Sequence, residues 1–291
     1  MSVKFVAEVS SNHNRDFDRS LKFIDAAKEV GCDAVKFQLF KLDELFAPEV
    51  IAKKPELQAR RQWELPLEYI PKLASRAHSL GMEFSCTPFY LEAVRELLPY
   101  VDFYKIASYE ILWTDLLVRC AQTGKPVVIS TGMADTTEIV GAVTTLKNAG
   151  AKDVTVLHCT SAYPTPLHEA NVGAISSLER LLQPFQDDME LKFGLSDHTV
   201  SEAAILKSVF SHNSKFIEFH FDLDGQGEEF GPGHCWLPEQ IKRVIKLSRE
   251  GAIAEGSGIK KPSPSELSDR LWRADPSDGL RPLLETRHQF Q

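Results

Sequence analysis

Residues able to do chemistry recur in one kind of place along this chain, the carboxyl end of a short apolar run. Phe193-Gly194-Leu195 leads into Ser196, Asp197 and His198, and Ile217-Glu218-Phe219 leads into His220. Imidazole is the commonest protein metal ligand, so two histidines at matching strand ends, with carboxylates nearby, suit one shared divalent ion. Lys36 and Lys105 end similar runs. Two lysines facing one interior are costly to bury unless an anion meets them. Hydroxyls at Thr87, Ser108, Ser130, Thr131, Ser161 and Ser196 offer hydrogen bonds to phosphate or carboxylate. The combination suits a small, doubly anionic substrate. Internal pairing of the lysines with Glu8 or Glu110 is the alternative, and the residue types leave both open. Gln38 and Tyr163 fall at strand ends too, and Tyr163-Pro164-Thr165-Pro166 forms a rigid turn with its tyrosine placed to wall a pocket. Asn12-His13-Asn14 reads equally as a hydrogen-bonded surface loop and as a substrate contact.

The elements that must position these residues alternate strictly. Strand-like runs cover Lys4–Val9, Ala34–Phe40, Glu83–Cys86, Phe103–Ala107, Val127–Ser130, Val154–His158, Lys192–Leu195 and Lys215–Glu218. Helical spacing follows each, as in Phe17–Val30 with Phe17, Leu21, Ile24 and Ala27 on one face and Gly31 as its stop. Further helices are expected near Leu67–Leu80, Leu91–Leu98, Thr114–Thr123, Thr136–Ala149, Val172–Leu182, Ser201–Phe210 and Pro238–Glu255, with a long polar loop through Pro48, Pro55 and Pro66. Eight such units predict a parallel sheet closed into a (β/α)₈ TIM barrel, with the working face at the carboxyl ends of the strands. The barrel would occupy residues 1–255, and the proline-containing stretch 256–291 reads as a tail.

A net charge of -8 argues against a nucleic-acid groove. No apolar run is long enough to span a bilayer, and the N-terminus lacks the features of a signal peptide, so no membrane partner is expected. Five scattered cysteines without C-x-x-C spacing read as reduced, buried thiols in a cytoplasmic protein.

The motifs, taken in order, resemble those of the sialic acid (N-acetylneuraminate) synthases and related nonulosonic acid synthases. They are Ala7-Glu8 with Asn12-His13-Asn14, Val35-Lys36-Phe37-Gln38, Ser85-Cys86-Thr87-Pro88-Phe89 and Lys105-Ile106-Ala107-Ser108. Ser130-Thr131-Gly132-Met133, His158 through Pro164, Ser196-Asp197-His198-Thr199 and Ile217 through Phe221 complete the set. Enzymes of that family condense phosphoenolpyruvate with the open aldehyde form of an N-acetylated amino sugar and release phosphate. The resemblance implies that His198 and His220 hold a divalent metal, usually Mn²⁺, with Mg²⁺ or Co²⁺ as alternatives. It implies that Lys36, Thr87, Lys105, Ser108, Ser130 and Ser196 bind phosphoenolpyruvate, and that Glu8, Gln38 and Tyr163 touch the sugar. Glu110 stands at the family's spacing for an active-site carboxylate, and either Glu8 or Glu110 could move protons.

The chain departs from that pattern at three places. Phe219 replaces a lysine, Gly233 replaces an aspartate after Gly231-Pro232, and residues 256–291 are too short for the antifreeze-like domain that many members carry. Arg273 or Arg281 could stand in for the arginine that this domain supplies across the family's dimer. Two rivals remain at this stage, a catalytically silent barrel that binds a sugar or partner, and a metal-dependent aldolase or lyase acting on another keto acid.

Overall fold

A computed structural model describes residues 3–290. Eight parallel strands close into a barrel in sequence order. They are β1 (Lys4–Glu8), β2 (Ala34–Leu39), β3 (Glu83–Pro88), β4 (Phe103–Ile106), β5 (Val127–Ser130), β6 (Asp153–Cys159), β7 (Glu190–Asp197) and β8 (Phe216–His220). Helices Phe17–Val30, Ile70–Ser79, Leu91–Leu97, Thr114–Gln122, Thr136–Asn148, Ala174–Leu182 and Glu202–His212 connect them, and Pro238–Glu255 follows β8. This is the (β/α)₈ barrel expected from the alternation. Gly31 and Gly150, which close helices before strands, take φ of 96° and 97°, a conformation cheap only without a side chain.

Strand periodicity alone builds the polar mouth on an apolar floor. Alternate residues of a strand face opposite sides. Outward residues such as Phe5, Val35, Phe84, Ile129, Val156 and Ile217 belong to the large core shared with the helices. Inward, Val6, Ala34, Phe103, Val128, Leu157 and Phe216 form a separate apolar cluster, with Phe103 and Phe216 edge to face at 5.7 Å. At the same level β7 carries Gly194, where a Cβ would fall 2.0 Å from the Phe216 carbonyl oxygen. Two residues further along these same strands stand Glu8, Lys36, Lys105, Ser130, Cys159, Ser196 and Glu218. Register aligns them: Glu8 lies level with Lys36 on one side and His220 on the other, and Ser196 lies level with Glu218.

Beneath the floor, at the amino ends of the strands, a concavity of about 1190 Å³ is lined by charged residues. These pair with one another, as in Lys4–Glu83 at 2.5 Å, Lys192–Asp153 at 2.9 Å and Arg249–Asp33 at 3.4 Å. That face reads as structural.

The structure corrects the sequence reading in two respects. The expected polar loop of residues 41–66 is largely helical, with short helices Leu42–Leu45 and Pro48–Lys53 and a 3₁₀ segment Pro55–Trp63. Pro48 and Pro55 start turns rather than break them, because a first-turn residue needs no N–H partner. Strands β7 and β8 also run further than expected, so Ser196, Asp197 and His220 lie within strands rather than beyond them. A second compact unit begins at Ile253. Within it Asp275 accepts hydrogen bonds from the backbone of Ser277 and Leu284, at 2.9 and 2.8 Å. Among the described residues no helix is long and apolar enough to cross a membrane.

Candidate active site

The lower layer of the mouth is a chain of buried charges. Lys36 Nζ lies 2.5 Å from Glu8 Oε2 and 3.9 Å from Glu218 Oε2, and donates to Thr87 Oγ1 at 3.0 Å. Lys105 Nζ lies 3.5 Å from Glu218 Oε1, which also accepts from Ser196 Oγ at 3.4 Å. Gln38 Nε2 donates to the other Glu8 oxygen at 2.6 Å. The internal pairing left open by the sequence is therefore real for Lys36 with Glu8, whereas the partner of Lys105 is Glu218 rather than Glu110.

These contacts set the charges. Burial works against the Lys36 ammonium, but Glu218 and Glu8 outweigh it and hold its pKa above the ordinary lysine value. Burial, helped by the like charge of Lys36, holds Lys105 below that value despite Glu218. Burial would raise Glu218, yet Lys105 and Lys36 bring it below the usual carboxylate value. Glu110 goes the other way: burial pushes it up to about 7, against the pull of Lys105. Its Oε2 and the Ser130 hydroxyl are buried without a hydrogen-bond partner among the described residues. Lys105 and Ser130 thus leave polar capacity that an anion in the mouth would meet.

Ser108 and Ser161 meet at Gly132. Ser108 Oγ accepts from the Gly132 N–H at 3.0 Å, and a Cβ at Gly132 would fall 2.1 Å from Ser161 Oγ and 2.8 Å from Ser108 Oγ. Only glycine lets the loop after β5 approach both hydroxyls this closely.

Above this layer the two expected histidines come together, with ring centroids 5.2 Å apart. His198 Nδ1 faces the Thr160 carbonyl at 3.0 Å, and His220 Nδ1 faces Glu229 Oε2 at 2.9 Å. An imidazole whose second nitrogen is tied to a carbonyl or carboxylate is oriented as metal ligands are. Burial lowers the pKa of His198, keeping it neutral and able to donate a lone pair. Tyr163, 39% exposed, packs on His198 with centroids 4.4 Å apart. The residues present therefore fit a divalent ion, with His198 and His220 as its first holders.

Several nearby residues have other work than the sequence suggested. Asp197, the carboxylate beside His198, turns away and accepts from Trp236 Nε1 at 3.0 Å and Thr199 Oγ1 at 2.6 Å. It shapes the turn that presents His198. Phe219 alternates with Glu218 and His220, so it faces the helices, fully buried against Phe221. The lysine-to-phenylalanine departure does not alter the lining of the mouth. Asn12 is neither surface nor substrate-facing: it is fully buried, donates to the Phe221 carbonyl at 3.0 Å and accepts from the Glu229 N–H at 2.8 Å.

Sequence reasoning missed Glu229 and His234, both on the loop after β8. Ser10 Oγ donates to Glu229 Oε1 at 2.5 Å, while His220 and His234 face its other oxygen. Burial would raise the Glu229 pKa, but hydrogen bonds to these histidines hold it well below the usual carboxylate range. The histidine in Gly233-His234-Cys235-Trp236 was the available signal.

The chain is similar to known proteins along most of its length. A model of the NeuB family matches residues 23–260. An N,N'-diacetyllegionaminic acid synthase of Legionella pneumophila is 35% identical over 290 residues, spanning 93% of this chain and 78% of that protein. A pseudaminic acid synthase of Helicobacter pylori is 30% identical over 284 residues, spanning 93% and 81%. The crystal structure of an N-acetylneuraminic acid synthetase from Leptospira borgpetersenii superposes with a TM-score of 0.79 at 27% identity, covering 92% of this chain and 90% of that one. The chain belongs to the NeuB family and is a carbon–carbon bond-forming synthase.

Proposed function

We propose that the protein condenses phosphoenolpyruvate with the open aldehyde form of an N-acetylated amino sugar, giving a nonulosonic acid and phosphate in a metal-dependent reaction. One observation carries this reading: two buried lysines and the unpartnered Ser130 hydroxyl lie beside a pair of histidines oriented like metal ligands. The named relatives are synthases of N,N'-diacetyllegionaminic and pseudaminic acid, and the nonulosonic acid proposed here has nine carbons. Removing the three carbons of pyruvate leaves a six-carbon acceptor, and the relatives' names favour an acetamido hexose.

Lys36 and Lys105, with Thr87, Ser108, Ser130 and Ser196 around them, hold the phosphate and carboxylate of phosphoenolpyruvate. Fixing the enol within reach of the aldehyde removes much of the entropic barrier. His198 and His220 hold the divalent ion, Mn²⁺ by the family's habit, which when bound supplies Lewis-acid polarisation of the aldehyde oxygen. The enol carbon then attacks the aldehyde carbon, and the new alkoxide takes a proton. Glu110, with a pKa near neutrality, is poised to supply it. The cationic carbon left behind sits above Glu8 and Glu218, whose negative charges stabilise it. Water adds there, returning a proton to the Glu110 carboxylate, and the tetrahedral intermediate expels phosphate to leave the ketone. Gln38 and Tyr163, on the mouth's upper rim, are placed to touch the sugar.

The test is phosphate release from phosphoenolpyruvate across a panel of mono- and diacetamido hexoses, with Mn²⁺ and with a chelator. Sugar-dependent, chelator-sensitive release is expected. Carbon–carbon bond formation without phosphate release would replace this reading by an aldolase, and binding without turnover on any sugar would favour a silent barrel.

A further inference from the structure

We propose that His234 is a metal ligand, so that the divalent centre of this chain is held by three histidines, His198, His220 and His234, with Glu229 as the positioning carboxylate. The inference rests on the metal-dependent reading above. It starts from a buried nitrogen with nothing to bond: His234 is 4% exposed, and its Nδ1 has no hydrogen-bond partner among the described residues. A buried polar atom left in that state is destabilising unless a ligand supplies the missing interaction.

The rest of the ring shows which ligand. His234 Nε2 faces Glu229 Oε2 at 3.7 Å. His220 Nδ1 faces the same oxygen at 2.9 Å, and His198 Nδ1 faces the Thr160 carbonyl at 3.0 Å. All three rings direct one nitrogen at an oxygen acceptor, and among the described residues no hydrogen bond reaches the other, which in His234 is fully buried. An anion or a hydrogen-bond acceptor would not suit three bare lone pairs; a cation would. The rings are neighbours, with His220 and His234 centroids 4.8 Å apart, and Tyr163 packs against each of the three. The ligating atoms of His220, Glu229, His234 and Cys235 lie within 4.8 Å of one another, and His198 stands outside that group, its ring centroid 5.2 Å from that of His220.

The other two members of that group are already engaged. Cys235 Sγ donates to the Glu229 carbonyl at 3.4 Å and accepts from Asn12 Nδ2. Glu229 spends one oxygen on Ser10 and the other on the two imidazoles. It orients rings rather than contributing a bond of its own. Three imidazoles with an open position is a ligand set used by catalytic sites. Its nitrogen content selects a transition-metal ion such as Mn²⁺ or Co²⁺ over Mg²⁺, which prefers oxygen.

The experiment uses the full chain stripped of metal, loaded with Mn²⁺ after labelling its histidines with ¹⁵N. Pulsed electron paramagnetic resonance then counts the nitrogens bound to Mn²⁺. Three are expected in the unaltered protein and two in His234→Ala, with Mn²⁺ affinity by calorimetry at least about tenfold weaker in the variant. Should that variant fail to fold, His234→Asn keeps a small polar side chain at the site, and the count on the unaltered protein needs no variant at all. Glu229→Gln should keep three nitrogens while weakening Mn²⁺ about 10–100-fold; unchanged affinity would remove its positioning role. Two nitrogens in the unaltered protein, with affinity unmoved by His234→Ala, would overturn the proposal and leave the two-histidine site intact. No Mn²⁺ binding by the unaltered protein would overturn both.

Discussion

Glu110→Gln should stabilise the protein, and only above mildly acidic pH. Burial raises the Glu110 carboxyl from 4.5 to about 7, with Lys105 pulling the other way, and its Oε2 has no hydrogen-bond partner among the described residues. The folded protein therefore keeps a proton that the unfolded chain gives up from about pH 4.5. Folding stability falls as pH rises through that window, and the loss is complete above pH 7. The interval from 4.5 to about 7, at about 1.4 kcal/mol per pH unit, amounts to about 3 kcal/mol. Glutamine cannot ionise and escapes this cost. For a chain of this size, 1 kcal/mol shifts the melting temperature by about 2 °C. The variant should match the unaltered protein near pH 4.5 and melt about 6 °C higher at pH 8, by calorimetry across that range. A gap that stays constant with pH, or a less stable variant at pH 8, would refute the burial argument. The stabilised variant should also turn over more slowly, because the amide cannot supply the proton that a carboxyl near neutrality can.

Other changes separate the layers of the molecule. Lys36→Met leaves Glu8 and Glu218 buried beside a single remaining cation, and should cost about 3–5 kcal/mol in urea unfolding as well as weaken phosphoenolpyruvate binding. His198→Ala and His220→Ala should each remove tight Mn²⁺ binding by calorimetry; unchanged titration in either would take that residue out of the site. Phe219→Ala should cost about 3–5 kcal/mol of stability while leaving the KM for the sugar unaltered, since the ring lies on the helix side of β8. Gly194→Ala places a Cβ 2.0 Å from the Phe216 carbonyl, and soluble expression should fail.

The barrel was legible because each of its signals is local. Alternating apolar runs, helical spacing and glycine stops lie within windows of about 15 residues, and strand period two then places Glu8, Lys36, Lys105, Ser130 and Glu218 on one level without further information. His198 and His220 were legible for the same reason, as endings of adjacent strands. Which face Phe219 takes needed the exact register of β8: its neighbours Glu218 and His220 face the mouth, and alternation puts Phe219 on the opposite side. Residues 41–66 were misjudged because Pro48 and Pro55 sit in the first turns of helical segments, where proline is tolerated, rather than in a loop.

Glu229 and His234 were illegible for a different physical reason. Their loop carries no periodic signal, and what fixes it comes from the far end of the chain. Asn12 holds the Glu229 N–H and the Phe221 carbonyl, and Ser10 holds the Glu229 carboxylate, across 217, 209 and 219 residues of sequence. These contacts exist only where β1 pairs with β8, the seam that closes the barrel. Closure brings the loop after β1 against the loop after β8, and that clasp aims Glu229 at His220 and His234. The geometry of the imidazoles is thus a consequence of ring closure as much as of the strands that carry them. Asn12→Ala would leave the Glu229 N–H and the Phe221 carbonyl without their partner, a loss of about 1–3 kcal/mol. Because the same side chain sets the Glu229 backbone, Mn²⁺ affinity should fall with stability even though Asn12 makes no contact with the ion. If Asn12→Ala lowered stability and left Mn²⁺ affinity unchanged, the clasp would serve closure alone, and the orientation of the histidines would have to come from the strands.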